Sequence, residues 1–548
     1  MSAIICLPVD FAANSLGLPA LLDATVDGAS VLYHTVSRLT LSDDYRVVLL
    51  FEDGPEAQAG VARARELLSG LSFETHVSAA PDVPNREFLR RARLWSISSW
   101  RGGIGATSYY DEAGSPAAML EAAERFGADA AGLMTPDSPF ADPSLAGQLA
   151  AWHYDRIRKA RVTVTGVPPG LAPAFFNTEV LKSYAQYKLT VAASLAYKPI
   201  QPQRDMAATE AHFEADIELR TAPWRLTVHS QRQLEMARAL AEAGVSPRSA
   251  SSIEVVRALG SCPAIAAGSA PAKVEIEPTS RIDAAPFYLR DFAASRKAAD
   301  MDALRLRAIL ETVSPREDVV VSLEGLGEPL CHPRIAELVR TAREAGVLGV
   351  HVGTHGRLLD ERVFKALADA RLDVLSVAIG AHTEDTYRAI YGVEGLEKAR
   401  AAVEAAFKMR KAAEIPWPLV VAEITKIRRA EGDIEPFFDH WYANCDWPVI
   451  RAYNDFAGQI EDVATIHMRT SSRVPCRKIF REMYVDAEGI AYPCRQDIRR
   501  THPLGDAAAE GLSKLWRSEF MDRLRAAHVA GDWGFFPLCR GCKDWYYA

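Results

Sequence analysis

Four cysteines in the last part of this 548-residue sequence are the side chains best suited to chemistry. Cys539 and Cys542 form a C-x-x-C, in which a tight turn aims both sulfurs at one point. Seventeen residues separate Cys476 from Cys494, enough for a hairpin that returns the chain to the same place. Four thiolates bind zinc tetrahedrally or hold an iron–sulfur cluster, and the spacing alone leaves both open. We therefore predict one metal centre on these cysteines, formed as this tail folds.

The overall composition is typical of a globular protein with two or three domains. Apolar residues make up 49% of the sequence and charged residues 24%, and the net charge of −8 offers no basic surface for nucleic acid. The first ten residues lack the basic start of a signal peptide, and no apolar run is long enough to span a bilayer. Eight cysteines, half of them clustered, fit metal ligation in a reducing compartment. We expect a cytoplasmic protein that binds neither nucleic acid nor membrane.

The elements of the first third must position a separate candidate residue, Asp137. Apolar runs at 47–51, 130–135 and 162–166 alternate with helical patterns such as 115–126, which predicts a mostly parallel α/β sheet. Asp137 follows the second of these runs, at the edge where open α/β sheets bind ligands. Its carboxylate is a candidate ligand for Mg²⁺ bridging nucleotide phosphates. The alternative is that Asp137 caps the turn and the following helix.

A second α/β series begins at Lys273 and predicts a partial (β/α)6, TIM-like barrel. Gly327, Glu328 and Pro329 follow its second strand, where barrel enzymes carry their chemistry, although this tripeptide alone is typical of a tight turn. The predicted strands are 274–277, 319–323, 349–353, 375–379, 419–425 and 449–453, and the helices between them are 301–311, 335–345, 361–370, 384–390 and 396–412.

The first 250 residues resemble sugar nucleotidyltransferases, in particular the cytidylyltransferases that make CMP-activated sugars. The similar segments are 15–22, 30–39, Asp137-Ser138-Pro139, 225–228 and 233–238. The resemblance implies a GT-A or Rossmann-like sheet that binds a nucleotide or nucleotide sugar with Mg²⁺ at Asp137. The family's first loop carries Arg and Lys that grip the triphosphate, whereas residues 10–17 contain neither. Since charge-assisted bonds anchor phosphates, the resemblance supports the fold more than the activity.

Residues 272–548 resemble the radical S-adenosylmethionine (SAM) superfamily with a SPASM-type extension. The similar segments are 277–281, Gly327-Glu328-Pro329, 354–356, 387–392 and the four terminal cysteines. With the nucleotidyltransferase-like first half, the chain resembles the proteins called spiro-SPASM. The resemblance implies a [4Fe–4S] cluster on the four cysteines in preference to zinc. It also matches Gly327, Glu328 and Pro329 to the motif that binds the methionine amino group of SAM.

The motif that defines catalysis in that superfamily is missing from this sequence. A C-x3-C-x2-C directly after the first strand binds the cluster that reduces SAM, but no cysteine lies between Cys262 and Cys331. Residues 280–290 supply none of the soft thiolates that an iron–sulfur cluster needs. We therefore expect a pseudoenzyme that does not cleave SAM, and we assign no catalytic residue.

These observations predict four segments and three competing functions. The segments are a nucleotidyltransferase-like domain (1–250), a linker (251–271), a radical-SAM-like partial barrel (272–465) and a SPASM-like iron–sulfur domain (466–548). The first function is an accessory or electron-relay component in sugar or peptide modification, working beside a partner enzyme or protein substrate. The second is a nucleotide-sugar (cytidylyl) transferase acting at Asp137. The third is a structural scaffold with zinc in its tail.

Overall fold

Two structural units divide the chain between Ala266 and Ala267. The computed structural model describes residues 2–14, 16–79, 86–96, 114–156, 161–189, 191, 212–313, 318–467 and 473–545. The predicted linker at 251–271 contains this division, and it also contains two helices, Ser252–Ser261 and Pro263–Ala267. The finer division into four segments stays a prediction.

Unit 1 is built on a mixed sheet with the strand order β5-β4-β1-β6-β8-β7-β9. Strand β1, which pairs with parallel strands on both sides, is buried along almost its whole length, as apolar runs in parallel sheets usually are. Strands β4, β1 and β6 run parallel, but β8 is antiparallel to both β6 and β7, which the apolar runs did not predict. The strands are β1 (Ala3–Pro8), β2 (Thr25–Val26), β3 (Ala29–Ser30), β4 (Arg46–Glu52), β5 (Glu74–Ser78), β6 (Ala130–Leu133), β7 (Val162–Thr165), β8 (Ala174–Asn177) and β9 (His212–Phe213).

Polar caps set where several helices of unit 1 begin. Ser30, Ser115 and Asn177 each accept a backbone N–H of the first helical turn, which satisfies a donor that has no partner within the helix. Ser251 and Glu254 form a reciprocal capping box. The helices are α1 (Val31–Leu39), α2 (Ala57–Leu67), α3 (Arg86–Ser96), α4 (Pro116–Arg125), α5 (Pro143–Arg156), α6 (Thr178–Gln186), α7 (Ile217–Thr221), α8 (Gln231–Glu242), α9 (Ser252–Ser261) and α10 (Pro263–Ala267).

Unit 2 is built on one sheet with the order β15-β14-β13-β12-β11-β10-β16-β17-β18. The pairs from β15 to β16 are parallel, and β17 and β18 are added antiparallel at the end. The strands are β10 (Lys273–Ile276), β11 (Val320–Leu323), β12 (Gly349–Thr354), β13 (Val374–Val377), β14 (Leu419–Thr425), β15 (Trp447–Arg451), β16 (Glu482–Val485), β17 (Ile490–Tyr492) and β18 (Gly505–Asp506).

Helices follow most of these strands and complete a mixed α/β fold. The six predicted strands and five predicted helices of this part are found within a few residues of their predicted bounds. The helices are α11 (Arg290–Ala294), α12 (Ala303–Glu311), α13 (Ile335–Glu344), α14 (Glu361–Asp369), α15 (Glu384–Tyr391), α16 (Leu396–Ala412), α17 (Ile434–Asn444), α18 (Ala507–Glu510), α19 (Leu512–Trp516), α20 (Glu519–Val529) and α21 (Pro537–Gly541). Within the described ranges, no helix has the length and apolar character needed to cross a bilayer.

The cysteine-bearing tail is joined to the rest of unit 2 through backbone pairing. Strand β16 lies beside β10 in parallel register, with Lys273 opposite Glu482 and Ile276 opposite Val485. The hairpin predicted between the first two tail cysteines is confirmed, because β16 and β17 pair antiparallel with Tyr484 opposite Tyr492. The tail therefore continues the large sheet of unit 2.

Candidate metal centre and strand-end site

The four tail cysteines are brought to one place by three short elements. Cys476 precedes a 3-10 turn at Lys478–Phe480, Cys494 follows β17, and the C-x-x-C of Cys539 and Cys542 spans the end of α21. All four are free thiols. Burial raises the pKa of each, to about 12 for Cys476, and Cys476 and Cys542 add to the rise at Cys494 and Cys539. Such coupling requires that the sulfurs lie near one another.

Backbone N–H groups point at three of these sulfurs in a repeated pattern. The N–H of Lys478 hydrogen-bonds Cys476, and the N–H of Gln496 hydrogen-bonds Cys494. The N–H of Asp544 lies 3.3 Å from Sγ of Cys542. In each case the donor is two residues after the cysteine, so the local turn itself supplies it. Such donors stabilise thiolates, which are the form that binds metal.

Helix α20 supplies two buried side chains to the same region. His528 lies with Nε2 3.2 Å from Sγ of Cys539 and with Nδ1 accepting the backbone N–H of Cys476 at 3.3 Å. Burial, with a smaller contribution from Arg473, lowers the pKa of His528 to about 4. Arg525, completely buried, donates to the carbonyl oxygens of Ile479 and Trp516. The tail sequence did not point to either residue, because their partners are distant along the chain.

A buried carboxylate organises the loops that follow β10 and β11. Both oxygens of Glu277 bind the guanidinium of Arg296, at 2.6 and 2.5 Å, and Oε2 also accepts Nη2 of Arg500 at 2.6 Å. Oε1 accepts the backbone N–H of Leu326 at 3.1 Å and of Gly327 at 2.9 Å. Glu277 therefore joins the two strand-end loops to the tail. The sequence marked Glu277 as part of a motif but did not identify its two arginine partners.

The predicted SAM-binding residues lie at this strand edge, and their contacts are to the protein itself. A Cβ on Gly327 would lie 1.9 Å from the carbonyl oxygen of Thr279, so only glycine fits there. The carboxylate of Glu328 accepts Thr354 Oγ1 at 2.5 Å, the N–H of His355 at 2.8 Å and the N–H of Leu330 at 2.9 Å. Pro329 begins a 3-10 turn. The assignment of Gly327, Glu328 and Pro329 to cofactor binding stays a prediction.

One group of possible cation ligands also lies at this edge. Ligand atoms of Asp283, Glu328 and His355 lie within 4.8 Å of one another. Asp283, however, pairs with Nε of Arg357 at 2.9 Å, and the Glu328 carboxylate already has the three donors named above. Because both negative charges are engaged, we assign no ion to this group.

The residues after β10 do not fit the cluster that radical SAM enzymes use to cleave their cofactor. Oγ1 of Thr279 donates to Asp300 at 2.6 Å, and Oγ of Ser280 donates to the carbonyl oxygen of Lys297 at 2.8 Å. The nearest thiol that follows β10 in the sequence is that of Cys331, whose pKa is raised to about 11 by burial and by neighbouring carboxylates. A cluster of that kind requires three thiolates, and this edge offers one protonated thiol.

Two ion pairs between charged side chains of unit 2 lie at or near a small cleft. Arg495 lies 3.2 Å from Glu275, and Arg451 lies 2.6 Å from Glu423. Burial raises the pKa of Glu275 to about 7, although Arg495 opposes the rise. Perturbed carboxylates in a cleft are candidates for ligand binding or proton transfer. The cleft is lined by Glu275, Gly325, Leu326, Phe456, Tyr484, Arg495, Asp497, Ile498 and Arg500.

In unit 1, Asp137 is buried where the sequence predicts a ligand site. Its backbone oxygen accepts the N–H of Val228 at 2.7 Å. The part of the alternative in which Asp137 caps the following helix is wrong, because Asp142 Oδ1 accepts the N–H groups of Ser144 and Leu145 in the first turn of α5. That Asp137 caps the turn stays a prediction.

The loop after β1 has a cation nearby that its own sequence lacks. Arg90 of α3 lies against Gly17, where an added Cβ would be 3.5 Å from Cδ and 3.7 Å from Nε of the arginine. Residues 10–17 contain no basic side chain. The Arg90 guanidinium comes from a helix far along the chain, so the sequence of the loop itself does not reveal it. Gly17 has a φ of +78°, a backbone conformation that favours glycine.

Two family models match this chain, both within unit 2. The SPASM model, described as an iron–sulfur cluster-binding domain, matches residues 476–543. The radical SAM superfamily model matches residues 285–416. The chain therefore contains a radical SAM domain and a SPASM iron–sulfur domain.

Two relatives are similar to parts of the chain. An uncharacterized protein of Treponema pallidum (strain Nichols) is 25% identical over 245 residues, covering 42% of this chain and 65% of the relative. A PqqA peptide cyclase of Gluconobacter oxydans (strain 621H) is 33% identical over 134 residues, covering 24% of this chain and 36% of the relative. The chain thus spans less than two thirds of the length of each.

Solved structures are similar to parts of this chain, with low identity and low TM-scores. SuiB of Streptococcus suis bound to its precursor peptide SuiA is 14% identical with a TM-score of 0.40, covering 58% of this chain and 82% of SuiB. A cytidylyltransferase of Leptospira borgpetersenii serovar Hardjo-bovis (strain JB197) is 13% identical with a TM-score of 0.35, covering 48% and 95%. Scores at this level assign neither an activity nor a substrate.

Proposed function

We propose that this chain is an iron–sulfur protein in which Cys476, Cys494, Cys539 and Cys542 hold one [4Fe–4S] cluster. The observation that carries this proposal is the convergence of four thiols, two buried and two half-buried, of which two come from the hairpin segment and two from a C-x-x-C. Four thiolates are the full ligand set of such a cluster, and the cluster supplies one-electron chemistry when bound.

The match to a family model favours a cluster over a single zinc ion. Residues 476–543, which include all four cysteines, match a model described as an iron–sulfur cluster-binding domain. Four thiolates alone suit either centre, so the preference for a cluster rests on this match.

We propose further that the partial barrel of unit 2 no longer cleaves SAM. The carboxylate and hydroxyl groups after β10 bind neighbouring protein groups, and no thiolate set accompanies them. The strand-end cleft would then serve as a binding surface. Its charged lining residues Glu275 and Arg495 are suited to a polar ligand.

The role that fits these properties is an accessory or electron-relay component in peptide modification. The relative from Gluconobacter oxydans is named a PqqA peptide cyclase, and this name favours a peptide over a sugar as the modified partner. The bound cluster would carry the electron, and the radical chemistry would belong to a separate enzyme.

The decisive experiment measures iron and acid-labile sulfide, with a visible spectrum, in protein purified without oxygen. We expect about four iron and four sulfide per chain in the wild type and a loss of both in Cys539→Ser. Cys262→Ser is the matched control, because Cys262 is exposed and lies outside the centre. About one zinc and no sulfide would instead establish the structural scaffold.

The same preparation tests the proposed loss of SAM cleavage. After reduction with dithionite, the wild type incubated with SAM is expected to release no 5′-deoxyadenosine. A control enzyme with an intact C-x3-C-x2-C must release it under the same conditions. Turnover of SAM by this chain would refute the pseudoenzyme proposal while leaving the four-cysteine cluster intact.

A second candidate function is nucleotide-sugar transfer by unit 1, favoured by one observation. The guanidinium of Arg90 lies against the Gly17 loop, where triphosphate-binding enzymes need a cation, and Asp137 lies at the end of β6. Arg90 would hold a phosphate and Asp137 would hold the divalent cation.

Calorimetric titration of CTP with Mg²⁺ tests this candidate. We expect binding by the wild type, a loss of binding in Asp137→Ala and at least tenfold weaker binding in Arg90→Ala. Asp155→Ala is the control, because Asp155 is an exposed residue of α5. A wild type that binds neither CTP nor UTP would eliminate the transferase.

A further inference from the structure

Three of the four ligand thiols obtain a hydrogen-bond donor from their own turn, and the fourth does not follow this pattern. Cys476, Cys494 and Cys542 each receive the backbone N–H of the residue two positions later. Cys539 lies inside α21, and its donor is the ring of His528, whose Nε2 is 3.2 Å from Sγ. A side chain of α20 thus supplies to Cys539 the hydrogen-bond donor that the backbone supplies to the other three cysteines.

The second ring nitrogen determines which tautomer of His528 is present. A backbone N–H can only donate, so Nδ1, 3.3 Å from the N–H of Cys476, must be the acceptor. A neutral imidazole with an acceptor at Nδ1 carries its proton on Nε2. Nε2 therefore donates to Cys539. The ring of His528 therefore hydrogen-bonds to both Cys476 and Cys539, and its Nε2–H points at the sulfur of Cys539.

Packing holds this ring in its orientation. The ring of His528 makes an edge contact with Trp533, at a centroid distance of 5.1 Å and an angle of 83°. The guanidinium of Arg473 lies over Trp533 at 4.6 Å. One turn before His528, Arg525 fixes the same helix to the carbonyl oxygen of Ile479. The hydrogen bond to Cys539 is thus preorganised by the surrounding side chains.

We propose that His528 is a positioning residue of the four-cysteine centre, donating Nε2–H to Cys539 and thereby stabilising the reduced form of the cluster. The inference rests on the cluster proposed above. These thiolates would share the negative charge that a bound cluster would gain from an external one-electron reductant. A donor aimed at one sulfur stabilises that added charge, and hydrogen bonds to sulfur are among the factors that set cluster potentials.

Redox titration of anaerobically purified protein tests the proposal. His528→Phe removes both the donor and the acceptor, whereas His528→Gln keeps an N–H donor in a side chain of comparable reach. We expect the ratio of reduced to oxidised cluster in His528→Phe at a fixed potential to fall about tenfold, equivalent to ~59 mV for one electron. The reduction potential of His528→Gln should lie between those of His528→Phe and the wild type. His440→Phe, on α17 and bonded to Glu404, is the control and should match the wild type.

A measurement on the wild type decides the outcome even where His528→Phe loses its cluster during purification. Pulsed electron paramagnetic resonance of reduced protein labelled with ¹⁵N-histidine should detect one weakly coupled ring nitrogen, which disappears in His528→Gln. Equal potentials in all four proteins, or a labelled wild type without this coupling, would overturn the role of His528. A wild type without iron and sulfide would overturn the cluster itself, which is a separate result.

Discussion

Oε2 of Glu277, at the end of β10, lies 2.6 Å from Nη2 of Arg500 in the cysteine-bearing tail. The carboxylate is completely buried, and it also binds Arg296 and two backbone N–H groups. Nη1 of Arg500 continues the contact to Asp486 at 3.0 Å. A single buried charge therefore joins the first strand of unit 2, the loop after β11 and the tail.

Replacing Glu277 by alanine should strongly destabilise unit 2. Arg296 would lose its buried counter-charge and Arg500 would retain only the contact to Asp486 named above, and removing one partner of a buried pair typically costs about 3–5 kcal/mol. Urea unfolding measures the change. Glu344→Ala is the control, because Glu344 makes a single exposed ion pair with Arg307 and its loss should cost less than ~1 kcal/mol. Similar losses in both variants would contradict the importance of burial at Glu277.

Replacing Gly327 by alanine should displace the loop after β11. The added Cβ would lie 1.9 Å from the Thr279 carbonyl oxygen, which is backbone and cannot move without shifting the strand-end loop. We expect a loss of stability of ~1–3 kcal/mol or more, as for overpacked sites. Gly432→Ala is the control, since no atom lies within 4 Å of its added Cβ. An equal shift in Tm for both variants would show that the position of Gly327 tolerates a side chain.

Removal of the metal should lower the stability of the tail. The two halves of the centre come from separate segments, so metal binding and folding are coupled. A chelator added to reduced wild type should lower Tm by ~2–4 °C for each kcal/mol lost. Cys539→Ser should already unfold at the lower temperature, and the chelator should not change its Tm. Cys262→Ser should respond as the wild type does, and a wild type unaffected by metal removal would argue against this coupling.

Acid should destabilise unit 1 through His153. Burial lowers its pKa to about 4, and Nδ1 lies 2.8 Å from Oγ1 of Thr163. The unfolded chain, with an ordinary pKa near 6.5, then binds more protons than the native state. This contribution is fully present above pH ~6.5 and is lost as the pH falls towards 4, by up to about 3 kcal/mol. Hydrogen exchange in β7 at pH 7 and pH 4.5, corrected for intrinsic rates, measures it.

The non-titrating variant His153→Gln should show a flatter pH dependence than the wild type. Glutamine retains a polar partner for Thr163 but gains no charge in acid. If the variant and the wild type lose protection in β7 equally, other groups carry the acid sensitivity.

The strands and helices of unit 2 could be predicted because their signals are local. Apolar runs such as 419–425 and the helical pattern at 396–412 depend on neighbouring residues, and the structure places elements at these bounds. The four cysteines could be grouped for a similar reason, since thiolates have few roles besides metal binding in such spacing.

The partners of the site residues could not be predicted, because they depend on tertiary contacts. Arg500 meets Glu277 only because β16 pairs with β10, and Arg90 meets Gly17 only because α3 returns to the loop after β1. His528 belongs to no recognisable sequence motif. Its two hydrogen bonds are to Cys476, which precedes it in the sequence, and to Cys539, which follows it. The antiparallel strand β8 was missed because apolar runs carry no direction.

The parallel pairing of β10 with β16 has a consequence for biosynthesis. On the ribosome, β10 emerges first and can pair at once only on the side of β11, because β16 follows after all the other strands up to β15. Until then the backbone donors and acceptors on its other side form an open edge, a known site of aggregation. A chain that stops after β15 and before residue 482 would keep this edge permanently, so such a truncation should yield insoluble protein that also lacks Cys494, Cys539 and Cys542.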